Sequence, residues 1–141
     1  MRGALYVESS ALARIAFERD MLLRARIAEA SRRLTSALTE TEARRALLRA
    51  HLDRRLHAGE LREGEIRLRS FFQDCEIAAV SDEILMRAAQ AFPVEPVRTL
   101  DAIHLASAIH FEHIVGTLTM VSCDDRVRDN ARAFGWKVLP T

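Results

Sequence analysis

With 141 residues, 49% of them apolar and 29% charged, the chain has the size and composition of a single globular domain over residues 1–141. No apolar run approaches the ~20 residues that cross a bilayer, and the run after Met1 is too short for a signal peptide, so no membrane partner and a cytoplasmic location are expected. The net charge of +1 hides an asymmetry: residues 1–70 hold 15 Arg against 10 acids, while residues 71–141 hold 5 Arg and 1 Lys against 10 acids.

Residues 4–7 (ALYV) read as a short buried strand, directly followed by Glu8. Ser9 or Ser10 caps a helix through residues 11–20. A second helical stretch, residues 21–33, has Leu22, Leu23, Ile27 and Ala30 as its apolar stripe. Residues 34–38 read as the next strand. Thr39 then stands three residues before Glu42, a capping-box spacing, and opens a helix with Ala43, Ala46, Leu47 and Ala50 inward and Arg44, Arg45 and Arg49 on its flanks. Gly59 and Gly64 bracket a helix boundary, and residues 65–74 form an amphipathic helix. A strand over 75–80 follows, then a helix over 82–92 capped by Ser81, ended by Pro93 and Pro96. Thr99 caps a helix carrying Leu100, Ile103, Ala106 and Ser107 at helical spacing. Residues 117–121 form a strand, 125–134 a helix stopped by Gly135, and 136–140 a last strand. Strands alternating with helices predict a three-layer α/β/α sandwich with a mostly parallel central sheet.

In this pattern Glu8, Glu42, Asp101 and Asp124 each follow a strand-like run or open a helix. In an open parallel sheet such positions share the edge at the carboxyl ends of the strands, where ligands bind. Each acid also has a plainer role. Asp101 suits a helix dipole, Glu42 completes a capping box, Asp124 is a first-turn acid, and Glu8 faces solvent at a strand end. Together, four carboxylates on one edge repel unless a cation sits between them. Carboxylates without a Cys or His cluster suit Mg2+ or Mn2+, and such an ion activates water for phosphodiester hydrolysis. Cys75 and Cys123 stand far apart and make a zinc site a poor fit. Arginine is the residue that grips phosphate in pairs of bonds, so the basic half suits a polyanion, unless it reflects only a bias toward Arg codons. His104, three residues after Asp101, orients a water or a carboxylate, or is simply a satisfied core residue; its place in an apolar stripe favours the core.

The stretches LYVESSALARI, TSALTETEARRAL, RTLDAIHLASAI and TMVSCDDRVRDNARAFGWKVLP resemble, in this order, the motifs of the PIN domain and in particular of VapC-type toxins of bacterial toxin–antitoxin pairs. The resemblance implies a Mg2+- or Mn2+-dependent endoribonuclease. Its four acids fall on Glu8, Glu42, Asp101 and Asp124. Ser122 matches the family's hydroxyl two before the last acid, and Ser9 or Ser10 the hydroxyls after the first. It also implies a homodimer, an RNA substrate, and a cognate antitoxin that silences it. Arg44, Arg45 and Arg49 are the residues expected to meet RNA phosphates. One position departs: the family's first acid is Asp, and here it is Glu8. The added methylene lengthens its reach by about 1.5 Å. Mn2+ is therefore expected to serve better than Mg2+, and Glu8→Asp to raise the Mg2+-supported rate. The competing reading is a PIN-like module that binds RNA or a partner without cutting, favoured by Glu8. A phosphoacceptor receiver domain fits less well, since Glu8 is followed by Ser9 and not by a second acid, and the single Lys137 lies in the last strand.

Overall fold

Ala4–Val7 form β1, a strand whose four residues are all buried. Burial on both faces requires apolar side chains throughout, as central parallel strands show. The alternation then divides the core. Leu5 and Val7 enter one hydrophobic cluster, Ala4 and Tyr6 the other. The computed structural model describes residues 3–16 and 20–141. After β1 come α1 (Ser9–Ala16), α2 (Met21–Ala28), β2 (Arg32–Ser36), α3 (Ala37–Leu52), α4 (Ala58–Gln73), β3 (Glu76–Ala78), α5 (Asp82–Ala88), α6 (Thr99–Val115), β4 (Leu118–Val121), α7 (Asp125–Ala133) and β5 (Lys137–Leu139). Strand order is β3-β2-β1-β4-β5 and every pairing is parallel. Helices α1 to α4 cover the Leu5/Val7 face, and α6 and α7 cover the Ala4/Tyr6 face. Ile84 of α5 packs on Ile103 and Ala106 of α6. The expected three-layer sandwich is therefore the fold, and no helix among the described residues is long and apolar enough to cross a membrane.

Several boundaries differ from the sequence reading, each for a local reason. Helix α2 ends at Ala28 instead of residue 33. The Arg33 guanidinium donates to the carbonyls of Ile27, Ala28 and Ala30, closing the helix end, and Ser31 N–H bonds Gly3 C=O to begin the β-ladder. Leu22 is 82% exposed and leaves the apolar stripe. Strand β2 stops at Ser36, whose hydroxyl accepts the Leu38 N–H and caps α3. The Thr39–Glu42 capping box does not form: Thr39 is buried and accepts from the Thr35 hydroxyl at 2.8 Å. Gly59 and Gly64 lie inside α4, which opens on a capping box between His57 and Glu60. Strand β3 is limited to Glu76–Ala78. Helix α5 stops at Ala88, and Phe92 beyond it is buried with the Arg87 guanidinium 4.4 Å over its ring. Thr99 is the first helical residue of α6 and Arg98 holds the cap position. Trp136 and Pro140 fall outside β5. Residues 17–19 of the expected first helix lie outside the described residues.

Candidate active site

In this strand order the chain leaves β1 toward β2 on one side and β4 adjoins on the other. The crevice at the carboxyl ends of β1 and β4 is a topological switch point, where open parallel sheets bind ligands. Val7 pairs with Val121, and the Glu8 N–H continues the ladder onto the Val121 carbonyl at 2.9 Å. That register sets Glu8 beside Ser122, across 114 residues of sequence.

Glu8 is only 4% exposed. A carboxylate withdrawn from water needs donors, and Glu8 has four. Ser122 Oγ donates at 2.9 Å, Ser9 Oγ at 3.2 Å and the Ser10 N–H at 3.1 Å. The Ser10 hydroxyl donates as well. Ser10 Oγ also accepts the Cys123 N–H at 2.8 Å, and Ser122 Oγ accepts the Asp124 N–H at 3.0 Å. The two serines thus stitch the loop after β4 to the start of α1. The Arg128 guanidinium holds that loop from below, donating to the Ser122 carbonyl at 2.8 Å and the Pro140 carbonyl at 2.7 Å. Asp124 is the N-cap of α7: its Oδ1 accepts the Val127 N–H at 3.0 Å, a tighter role than that of a first-turn acid.

Asp101 sits in the first turn of α6, half-buried. Burial pushes its carboxyl up to about 6, and the charges of Asp124 and Glu8 push the same way, against the pull of His104 and Arg98. Asp101, Asp124 and Glu8 therefore share one electrostatic environment that is short of positive charge. Glu42, on α3, is drawn instead to His104: its Oε1 accepts from the imidazole Nε2 at 2.5 Å. His104 is fully buried, and its Nδ1 faces the Tyr6 hydroxyl at 2.9 Å. Burial keeps the Tyr6 phenol well above its ordinary range, so it is a neutral group here. His104 is thus a core residue that also bonds a carboxylate.

The edge brings Glu8, Ser9, Ser122, Asp101 and Asp124 together and joins Glu42 to them through His104. The flank of α3 is separate. Arg44 pairs with Glu40 at 3.2 Å, and Arg45 and Arg49 are exposed. Among the described residues, no three His, Cys, Asp or Glu side chains stand together as a ready cage for a metal ion. Glu8 is occupied by its serines and Glu42 by its imidazole. Asp101, with the second oxygens of Asp124 and Glu42, offers hard donors of the kind that Mg2+ takes beside water and phosphate. Tyr6 is the residue that sequence pattern does not single out, and the choice between Ser9 and Ser10 is one it leaves open. The family motifs offered Ser9 and Ser10 as equals, and nothing in a strand of four apolar-looking residues marks the Tyr6 hydroxyl.

The PIN-domain family model matches residues 5–133. This chain belongs to the PIN-domain family. As a PIN domain it is similar to Ribonuclease VapC46 of Mycobacterium tuberculosis (strain ATCC 25618 / H37Rv), with 34% identity over 140 residues, 97% of each chain. The solved structure of PAE2754 from Pyrobaculum aerophilum superposes with a TM-score of 0.62 at 20% identity, covering 99% of this PIN domain and 91% of that chain. The second likeness is one of fold. The first extends the resemblance carried by the four motifs over nearly the whole length.

Proposed function

We propose that this PIN domain is a metal-dependent endoribonuclease, the toxin of a type II toxin–antitoxin pair. It acts in the cytoplasm as a homodimer, as a single domain over residues 1–141, and is held silent by its cognate antitoxin. The observation that carries the reading is a half-buried Asp101 that feels the charges of Asp124 and Glu8 at the switch point of a sheet, in a chain whose relative VapC46 bears the name of a ribonuclease. Surplus negative charge at an open edge favours a cation and, through it, an RNA phosphate.

Asp101 and Asp124 would hold the ion, Mg2+ or Mn2+, with Glu8 and Glu42 completing the set of four acids. A bound ion would lower the pKa of a water and screen the phosphate charge. The remaining work belongs to the chain. The α7 cap keeps the Asp124 carboxylate in place, and the hydroxyls of Ser9 and Ser122 hold the Glu8 carboxylate at the edge. Arg45 and Arg49, and Arg44 once released from Glu40, meet the phosphates of the strand that lies along α3.

The test is cleavage of a generic RNA by the purified protein with Mn2+, with Mg2+ and with a chelator. Cutting is expected with Mn2+, more weakly with Mg2+, and not in the chelator. Asp101→Asn should abolish it with an unchanged circular dichroism spectrum, because Asn keeps the shape and loses the charge. Cleavage retained by that variant would remove Asp101 from the ion site. The non-cutting module is the second reading, favoured by the saturation of Glu8 with four donors. It prevails if the wild type binds RNA and cuts none with either ion.

A further inference from the structure

His104 is a polar ring inside the core. It lies on α6, one turn after Asp101, fully buried among apolar neighbours. Its two ring nitrogens nevertheless meet polar partners from two other elements, the Tyr6 hydroxyl of β1 and the Glu42 carboxylate of α3. An ionised carboxylate only accepts, so Nε2 carries the proton and Nδ1 is the nitrogen turned to the phenol. The Tyr6 ring packs edge-on against the imidazole, with centroids 6.1 Å apart and planes at 72°. With both nitrogens engaged and the ring packed, the imidazole has one orientation. Glu42, whose side chain is still 22% exposed, would otherwise sample its rotamers in water.

We propose that His104 is a positioning residue for the ribonuclease reaction proposed above: clamped by Tyr6, it pins Glu42 through Oε1 and leaves the other carboxylate oxygen for the ion. The inference rests on that reading of the site. It adds a hydroxyl–imidazole–carboxylate chain that runs from β1 through His104 of α6 to Glu42 of α3, and so ties the packing of α6 on the sheet to the placing of one acid.

Two measurements test it. The first uses the metal-free protein, with the imidazole nitrogens followed by long-range 1H–15N spectra. Glu42→Ala should move the Nε2 resonance, and Tyr6→Phe, which keeps the ring and removes only the hydroxyl, should move Nδ1. Resonances that stay in place overturn the proposal. The second is Mn2+ affinity by calorimetry. Removing a partner that orients a ligand typically costs about 10–100-fold in metal affinity, and that loss is expected for His104→Leu. His104→Gln, whose amide keeps a donor toward Glu42, should restore most of it. A folded His104→Leu that binds Mn2+ as tightly as the wild type, or a His104→Gln no better than the leucine, overturns positioning. If His104→Leu does not fold, Tyr6→Phe decides: a weakened Mn2+ affinity supports the proposal and an unchanged one overturns it. A wild type that shows this pattern but cuts no RNA supports the positioning and overturns the ribonuclease reading. A wild type that binds no Mn2+ overturns the positioning itself.

Discussion

Asp101 carries the clearest consequence of a single carboxyl. In the folded chain it keeps its proton up to about pH 6, while in the unfolded chain it loses it near the ordinary value of 3.8. Between those values the folded state binds more protons, so stability falls as pH rises through the window. Melts in chelator at pH 4, 5, 6 and 7 should show this fall for the wild type. Asp101→Asn should flatten it and melt higher at pH 7, since it removes a charge that burial, Asp124 and Glu8 all disfavour; an equally steep fall in the variant would assign the effect to another group. The four donors around Glu8 argue for the opposite sign from the one its length suggests. Shortening it withdraws the carboxylate by about 1.5 Å from hydroxyls placed to meet it, and each buried polar group left unsatisfied costs about 1–3 kcal/mol. Glu8→Asp should therefore unfold at lower urea and cleave more slowly with both ions. A faster Mg2+-supported rate would mean that the serines follow the shorter acid. Glu8, Asp101 and Asp124 are legible in the sequence because each stands at the end of a strand or the start of a helix; Glu42 lies in the second turn of α3, and only the bond to His104 relates it to them. The serine cradle is not legible, because Ser10 and Ser122 meet only through the pairing of β1 with β4, 112 residues apart.

Among the elements, the helices are easier to read from sequence than their ends. Apolar periodicity places α3, α6 and α7, but the ends are set by side chains that periodicity ignores. Ser36 takes the cap expected of Thr39, since Thr39 is engaged by Thr35, and Arg33 closes α2 from inside the next strand. Gly64 shows the same limit. Read locally it marks a boundary, yet it lies in mid-helix where α4 presses on α3. A Cβ there would meet Leu47 Cδ2 at 2.8 Å and the Ala16 carbonyl at 3.4 Å. Alanine gains about 1 kcal/mol over glycine in a helix, but overpacking a filled core costs about 1–3 kcal/mol, and Leu47 is buried with little room to turn away. Gly64→Ala should thus lower the urea midpoint by a net loss of roughly 1 kcal/mol; a raised midpoint would show that Leu47 yields freely.

At the scale of the whole molecule, the alternation of strands and helices announces a parallel sandwich, whereas the strand order comes only from the structure. The arginine excess of residues 1–70 belongs here too. Arg45 and Arg49 stand exposed along α3, and the exposed Arg44–Glu40 pair is weak enough to open for a phosphate. Replacing each by Ala should flatten the salt dependence of single-stranded RNA binding by roughly 0.7 of a unit of slope for every phosphate thereby left without its arginine. Unchanged slopes across all three would place the RNA elsewhere. The strand order β3-β2-β1-β4-β5 has one more outcome, in the timing of synthesis. Glu8 is among the first residues made, while Ser122 and Asp124 arrive only after the central helices. A nascent chain, or a product cut short before β4, holds the first acid without the Ser122 donor or the last acid. The growing polypeptide therefore lacks the assembled acid edge, by topology, until β4 has slotted in beside β1.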